Sequence, residues 1–230
     1  MKDQALWFLE NIDVTGIFCP KKLGSGAFHV DKRYRKGEYV YMPDDAADKI
    51  FFLFDGRIKI GAYGDSGKEI TKAILGRGEV FGELAVLGEK TRRDFAQAME
   101  DTTVCMISAN EMKTLMQDHS TLSLFLMKMM GSRMLEMENR LEALVFKDSR
   151  TRIIEFIRDL AQKKGQRVGY ETLVRKFLTH QEIANLTATS RQTVTTVLND
   201  LRNKNILTFN RRRLLVRDMK LLEQEAGQVA

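Results

Sequence analysis

Residues 179–216 read THQEIANLTATSRQTVTTVLNDLRNKNILTFNRRRLLV, and this stretch decides the fold of the C-terminal part of the chain. Two helix starts are spelled in it, Thr179-x-x-Glu182 and Thr189-x-x-Gln192, where a threonine oxygen can accept from an unsatisfied backbone N–H while the Glu or Gln reaches back. Ile183 and Leu186 on the first helix, and Val194, Val197, Leu198 and Leu201 on the second, recur at helical spacing and can close a small core. The polar residues left outside include Arg191, Gln192, Thr195 and Thr196 on the first turns of the second helix. A hairpin follows, with strands at 206–209 and 214–216 and Arg211, Arg212 and Arg213 at its tip. Two short helices, a tight turn and a basic hairpin make the pattern of a winged helix-turn-helix.

The chemistry of that pattern points to double-stranded DNA. The start of the second helix is the part that enters the major groove in helix-turn-helix proteins. Arginine there can bind guanine O6 and N7 with two parallel hydrogen bonds, and Gln can do the same for adenine. Thr179, His180 and Gln181 at the start of the first helix and Ser190 at the start of the second are further candidate contacts. Arg211, Arg212 and Arg213 read as phosphate contacts, which position a protein without reading sequence. Charge agrees: residues 150–230 carry 16 Lys and Arg against 8 Asp and Glu, a balance of +8, while residues 1–149 carry 21 against 23. A basic segment beside a near-neutral one fits attraction to a phosphate backbone through counterion release.

The rest of the 230 residues is bounded more loosely. No apolar run approaches the ~20 residues that span a bilayer, and the opening MKDQALWFLENID has acidic residues where a secretory signal is continuously apolar. The expected compartment is the cytoplasm, with no membrane partner. Cys19 and Cys105 are too few for a disulfide framework and read as thiols in a reducing compartment. His29, His119 and His180 are scattered without paired ligand spacing, so no metal site is expected.

Residues 28–108 are rich in strand signals. Runs at 39–42, 49–54, 57–63 and 70–75 are separated by turn residues at Lys36-Gly37, Asp55-Gly56, Asp65-Ser66-Gly67 and Arg77-Gly78. An antiparallel barrel or roll is the expected form. From Gly78 the text becomes specific: GEVFGELAVL at 78–87, then Thr91-Arg92-Arg93-Asp94-Phe95-Ala96-Gln97-Ala98. A Gly82-Glu83-Leu84-Ala85 turn can set backbone N–H groups around a small anion and leave a carboxylate for a sugar hydroxyl, while an arginine downstream meets the phosphate.

This cassette followed by the helix-turn-helix resembles the Crp/Fnr superfamily, the cyclic-AMP receptor and fumarate-nitrate regulators, over essentially the whole chain. The resemblance implies an α+β fold: an N-terminal cyclic-nucleotide-binding-like β-roll over 1–118, a long dimerisation helix over 119–147, and a winged helix-turn-helix over 148–230. It implies that Glu83 and Arg92 correspond to the residues that hold ribose and cyclic phosphate, and that Arg191, Gln192 and Thr196 are the base readers. It also implies RNA polymerase as a partner. The chain departs from the family pattern at Arg93 and Asp94, which follow the cassette arginine and crowd the expected pocket. It departs again at Met137 and Glu138, which stand where the cyclic-AMP receptor has its adenine-contacting hydroxyls. Cyclic AMP is therefore disfavoured as the effector, no cofactor is assigned, and the cysteine cluster and haem histidine of other branches have no counterpart. Gly82 and Glu83 fit a ligand site and a mere tight turn equally, and both effector-gated and constitutive activity stay open.

Residues 122–146 form a predicted long helix in which Met127, Met130, Met134, Met137, Leu141 and Leu144 alternate by three and four. That is a coiled-coil seam, read as a homodimer interface, with packing against the chain's own roll as the alternative. Asp148 and Ser149 interrupt the apolar seam, which puts a hinge there. The expectation is a homodimeric DNA-binding regulator on a palindromic operator with half-sites ~34 Å apart, and not an enzyme. The alternative is a cyclic-nucleotide-sensing module acting through a protein partner.

Overall fold

The run Ile50-Phe51-Phe52-Leu53 is buried at every position, which a strand with one wet face does not allow. Its sheet is covered on both sides, and that arrangement organises the N-terminal part of the chain. The computed structural model describes residues 30–65 and 67–227; Cys19, His29 and Ser66 lie outside them. The chain divides into two compact units, Met1–Gly131 and Ser132–Ala230.

The first unit contains eight strands among its described residues: β1 Val30–Tyr34, β2 Tyr39–Tyr41, β3 Lys49–Asp55, β4 Ile58–Tyr63, β5 Glu69–Leu75, β6 Val80–Phe81, β7 Phe95–Ala98 and β8 Thr102–Ser108. They form two antiparallel four-stranded sheets, ordered β1-β8-β3-β6 and β2-β7-β4-β5. Phe51 and Leu53 of β3 point between the sheets, where they meet Tyr41, Ile58, Ile60, Leu75, Phe81 and Ala96. Ile50 and Phe52, on the opposite face by strand alternation, join Cys105 and Ile107 beneath two helices. These helices are α1, Ala109–Asp118, and the first turns of α2, Ser120–Phe146; Met112 and Leu115 of α1 and Leu122 and Leu126 of α2 complete that layer. The expected roll is present, and β2 to β5 lie within two residues of the four runs read from the sequence. The Asp55-Gly56 signal also has its physical cause, because Gly56 has φ +89° and an added Cβ would sit 2.3 Å from the Thr102 hydroxyl.

α2 ends at Phe146, and Asp148 caps the next helix, α3 Ser149–Lys164, by accepting from the Thr151 N–H at 2.7 Å. That bond holds the Asp148 carboxyl below its usual range. The second unit continues with β9 Gln166–Val168, β10 Glu171–Arg175, α4 His180–Thr187, α5 Arg191–Asn203, β11 Leu207–Phe209, β12 Arg213–Val216 and α6 Met219–Gly227. Its sheet is ordered β11-β12-β10-β9. Ile153, Ile154 and Ile157 of α3 are fully buried, as are Ile183 of α4, Val194, Leu198 and Leu201 of α5, and Leu214 and Val216 of β12. Leu186, expected in this core, is only half-buried, and Ala184 and Thr187 fill the α4 side instead. The wing is wider than the hairpin read from the sequence, since β10 pairs with β12 and carries β9 on its other edge.

Candidate nucleic-acid interface and ligand cassette

The α4–turn–α5 unit is set by caps. Thr179 and Glu182 form a reciprocal capping box, with Glu182 N–H donating to Thr179 Oγ1 at 3.2 Å and Thr179 N–H donating to Glu182 Oε2 at 2.7 Å. α4 ends at Ala188, whose left-handed backbone (φ 50°, ψ 50°) turns the chain. The second cap differs from the expected Thr189-x-x-Gln192 pair. The Thr189 N–H closes the turn on the Ala184 carbonyl at 3.0 Å, and its hydroxyl lies 3.0 Å from that of Thr187. Thr189 is thus still inside the turn, and Ser190 is the first extended residue before the helix. Ser190 Oγ accepts from Thr193 N–H at 3.0 Å, so α5 starts at Arg191.

This start sets which side chains stand outward. Arg191, Gln192 and Thr196 are exposed and Thr195 is half-buried, while Val194, Val197, Leu198 and Leu201 hold the opposite face inside. Half-buried Asn199 continues the outward stripe one turn on, a position without a capping or charge signal to mark it in the sequence. At the first helix Thr179 and Gln181 are exposed, and half-buried His180 reaches across to Thr195, Nδ1 to Oγ1 at 2.8 Å. Burial, and then the charge of Arg191, push the His180 imidazole below its usual pKa.

The wing tip is an Asx-type turn. Asn210 Oδ1 accepts from the N–H groups of Arg212 and Arg213, each at 2.9 Å, which presents the exposed Arg211, Arg212 and Arg213. Arg175 of β10 lies directly opposite Arg213 of β12. Like charges in that position destabilise a sheet on their own and favour a bound anion. Sequence reasoning misses Arg175 because β10 has no clear alternation.

Two arginines of α3 fix the unit from beneath. Arg152 donates to the carbonyls of Lys147 (2.7 Å), Thr187 (3.0 Å) and Ala188 (3.3 Å), gripping the end of α2 and the end of α4 together. Arg150 bridges Asp200 of α5 (2.6 Å) and Glu225 of α6 (2.7 Å), and Lys204 also meets Glu225 at 2.7 Å. Arg150 depresses the Asp200 carboxyl, and Lys204 followed by Arg150 depresses that of Glu225.

In the first unit the cassette forms a short 3-10 turn, Glu83–Ala85, opened by Gly82 at φ 76°. The Ala85 N–H is spent on the Gly82 carbonyl at 3.2 Å, so it does not join the expected ring of anion-facing amides. Arg92 is 5% exposed. Its Nη1 donates to the Gly82 carbonyl at 3.1 Å and its Nη2 to the Lys49 carbonyl at 2.5 Å, and its guanidinium lies 4.5 Å from the Tyr41 ring centre and 5.6 Å from that of Phe51. Nε has no hydrogen-bond partner. Arg93 does not share this cradle, contrary to the crowding expected from the sequence. Its side chain is 72% exposed and pairs with Glu89 at 3.0 Å, and Asp94 pairs with Lys72 at 3.1 Å. The reason is local: the Arg92 N–H and carbonyl bond to Asp45 and Asp44, and successive side chains of an extended segment point to opposite sides. Glu83 is half-buried on the turn and Leu84 is exposed.

The cyclic nucleotide-binding domain family matches residues 31–119, and the Crp-like helix-turn-helix domain family matches residues 151–225. The chain is 30% identical to the global nitrogen regulator of Nostoc sp. over 200 residues, 85% of this chain and 89% of that protein. It belongs to the Crp/Fnr family of transcription regulators. Among other Crp/Fnr proteins it is 28% identical to the cyclic AMP receptor protein of Thermus thermophilus, over 92% of this chain and 95% of that one. The solved structure of a CooA mutant from Carboxydothermus hydrogenoformans superimposes with a TM-score of 0.76 at 30% identity, covering 86% of this chain and 88% of that one. The Crp/Fnr assignment makes the second unit a DNA-binding domain and the protein a transcription regulator. It replaces the alternative of a sensing module that acts only through a protein partner.

On α2 of this Crp/Fnr protein, Leu122 and Leu126 precede the seam residues and are buried against the roll. Further on, Met127 (69%), Met134, Met137, Leu141 (64%) and Leu144 are exposed, and Met130 is half-buried. Met137 and Glu138 are both exposed and belong to the second unit, whereas the Arg92 cradle belongs to the first.

The cap assignment has a direct check. Ser190→Ala is expected to lower stability by about 1 kcal/mol, and Thr189→Ala by less, because the Thr189 hydroxyl contacts Thr187 and caps nothing. Urea unfolding of the two variants side by side reads the difference; equal losses would return the cap to Thr189.

Proposed function

We propose that this regulator binds a palindromic operator as a homodimer, with one α5 in each of two successive major grooves ~34 Å apart. The observation that carries the reading is the outward face of α5, where Arg191, Gln192 and Thr196 stand exposed beside an arginine rim of Arg175, Arg211, Arg212 and Arg213. Arg191 is matched to guanine and Gln192 to adenine. The rim takes backbone phosphates. Pairing of two chains along α2 is supported by the exposed methionine and leucine stripe, whose apolar area is too extended to be scattered surface exposure. Family membership supports RNA polymerase as the second macromolecular partner. No helix of the described residues is long and apolar enough to cross a membrane, and a DNA-binding regulator works in the cytoplasm.

Operator binding is proposed to be independent of cyclic AMP. In the cradle Arg92 Nη1 and Nη2 each donate to a main-chain carbonyl and the guanidinium face is stacked on Tyr41 and Phe51, so the buried charge is already supported without a phosphate. By the family resemblance Met137 and Glu138 stand where the cyclic-AMP receptor has adenine-contacting hydroxyls, and neither side chain carries one. The break at Lys147–Asp148 is the hinge in this reading, with Arg152 tying it to α4.

Operator selection from random DNA tests the main reading. Arg191→Ala should lose about 1–3 kcal/mol per half-site and relax preference at one base pair. Replacing Arg211 and Arg212 should weaken all sequences alike and flatten the salt slope by about one for each phosphate left without its arginine. Unchanged selectivity in Arg191→Ala refutes the assignment of α5. Sedimentation of Leu141→Glu tests the dimer, since a charge buried unpaired in the seam should give monomers; a variant that sediments like the wild type places the interface elsewhere. Titration calorimetry with cyclic AMP should show no tight binding, and micromolar affinity together with a large gain in operator binding would restore a cyclic-nucleotide switch.

A further inference from the structure

Thr195 lies one turn beyond Arg191, on the outward face of α5 between Arg191 and Asn199, where a polar residue is ordinarily read as a hydrogen-bonding contact to a base edge. Its hydroxyl is already committed. A threonine hydroxyl has one proton and two lone pairs. The proton goes to the Arg191 carbonyl at 2.9 Å, and His180 Nδ1 lies 2.8 Å from the same oxygen. A carbonyl can only accept, so Thr195 is the donor in the first bond and the acceptor in the second. His180 therefore carries its proton on Nδ1. The His180 ring is held in turn by Phe209 of β11, edge-on with centroids 5.5 Å apart, and burial together with the neighbouring Arg191 charge lowers its pKa. α4 and α5 thus meet at one oxygen atom, and the wing holds the ring that reaches it. Thr196 differs: its hydroxyl donates to the Gln192 carbonyl at 3.1 Å, but the residue is exposed and its oxygen keeps both lone pairs.

We propose that Thr195 is a specificity-determining residue that reads the 5-methyl group of a thymine through its own methyl, and that His180 is the positioning residue that enforces this by occupying the Thr195 hydroxyl. With the proton and one lone pair used inside the protein, the methyl is the larger group Thr195 has left for a base. In the major groove only thymine presents an apolar partner for it. The proposal rests on the operator-binding reading above, and deepens it by naming a base and a mode of contact that neither motif nor charge specifies.

The test uses the full chain and the operator it selects from random DNA, with each thymine replaced in turn by uracil, which lacks only the methyl. At one thymine per half-site the wild type should lose about fourfold in affinity on replacement, the weight of one buried methyl group. Thr195→Ser, which keeps the hydroxyl, should bind thymine and uracil alike at that position. Thr195→Val, which keeps methyl groups, should retain the thymine-to-uracil ratio whatever its overall affinity. His180→Ala should lose the ratio, and His180→Asn, which can offer an N–H near the place of Nδ1, should recover it, an outcome that a purely structural role for the ring does not produce. The proposal is overturned if no uracil replacement matters, if Thr195→Ser keeps the ratio, if Thr195→Val selects a different base there, or if His180→Ala leaves the ratio unchanged. A wild type that selects no sequence at all overturns the operator reading itself, and is distinguishable from each of these.

Discussion

One guanidinium holds the C-terminal unit in its working form. Helices end with carbonyls that have no intrahelical partner and with the negative pole of the helix dipole. Arg152 answers both needs for two helices at once, by donating to Lys147 just past α2 and to Thr187 and Ala188 at the end of α4. The turn that follows Ala188 leads directly into Ser190, the cap of α5. The position of the recognition helix is therefore coupled to the end of the seam helix by hydrogen bonds to main chain, which cannot be repacked as side chains can. Lys147 reinforces the grip through Glu155 at 2.7 Å. The Arg150–Asp200–Glu225–Lys204 group adds charges that are partly exposed, so its contribution lies more in fixing geometry than in stability.

The cassette shows a different economy of charge. A buried cation is costly unless hydrogen-bonded, and Arg92 is stabilised by two carbonyls and two aromatic faces. Each terminal nitrogen thus has one main-chain partner, while Nε has none. It also explains the glycine before the turn. Gly82 has positive φ, and a Cβ there would come 3.0 Å from Arg92 Nη1 and from the Phe51 ring, so the turn and the guanidinium can occupy the same space only without a side chain.

Methionine gives the α2 stripe its character. A seam of Met127, Met130, Met134 and Met137 followed by Leu141 and Leu144 is apolar throughout, but its first half is flexible and specifies packing weakly. The stripe begins at Met127, one residue past Leu126, which the roll still covers. A single helix thus serves as core at one end and as an outward apolar surface along the rest.

Much of this protein was determined by its sequence because the decisive signals are local. The Thr179 capping box, the apolar run of β3, the glycine turn at Gly56 and the periodic core of α5 each depend on residues within a few positions of one another. Tertiary structure decided the remainder. Threonine and serine are both suited to cap a helix, and only the bond from the Thr189 N–H to Ala184 leaves the role to Ser190. Arg92 and Arg93 are chemically identical, and only pairing of the extended chain with Asp44 and Asp45 sends one into the roll and the other to Glu89. Strands β9 and β10 and helix α6 carry weak patterns of their own and are ordered by their partners, β12 and α3. Thr195 reads as an outward polar residue in the sequence, and its hydroxyl is committed in the fold, because the atom that occupies it comes from His180, fifteen residues away. A hydrogen bond between distant residues leaves no periodicity in the sequence; it exists only once the chain has brought the two atoms to 2.8 Å.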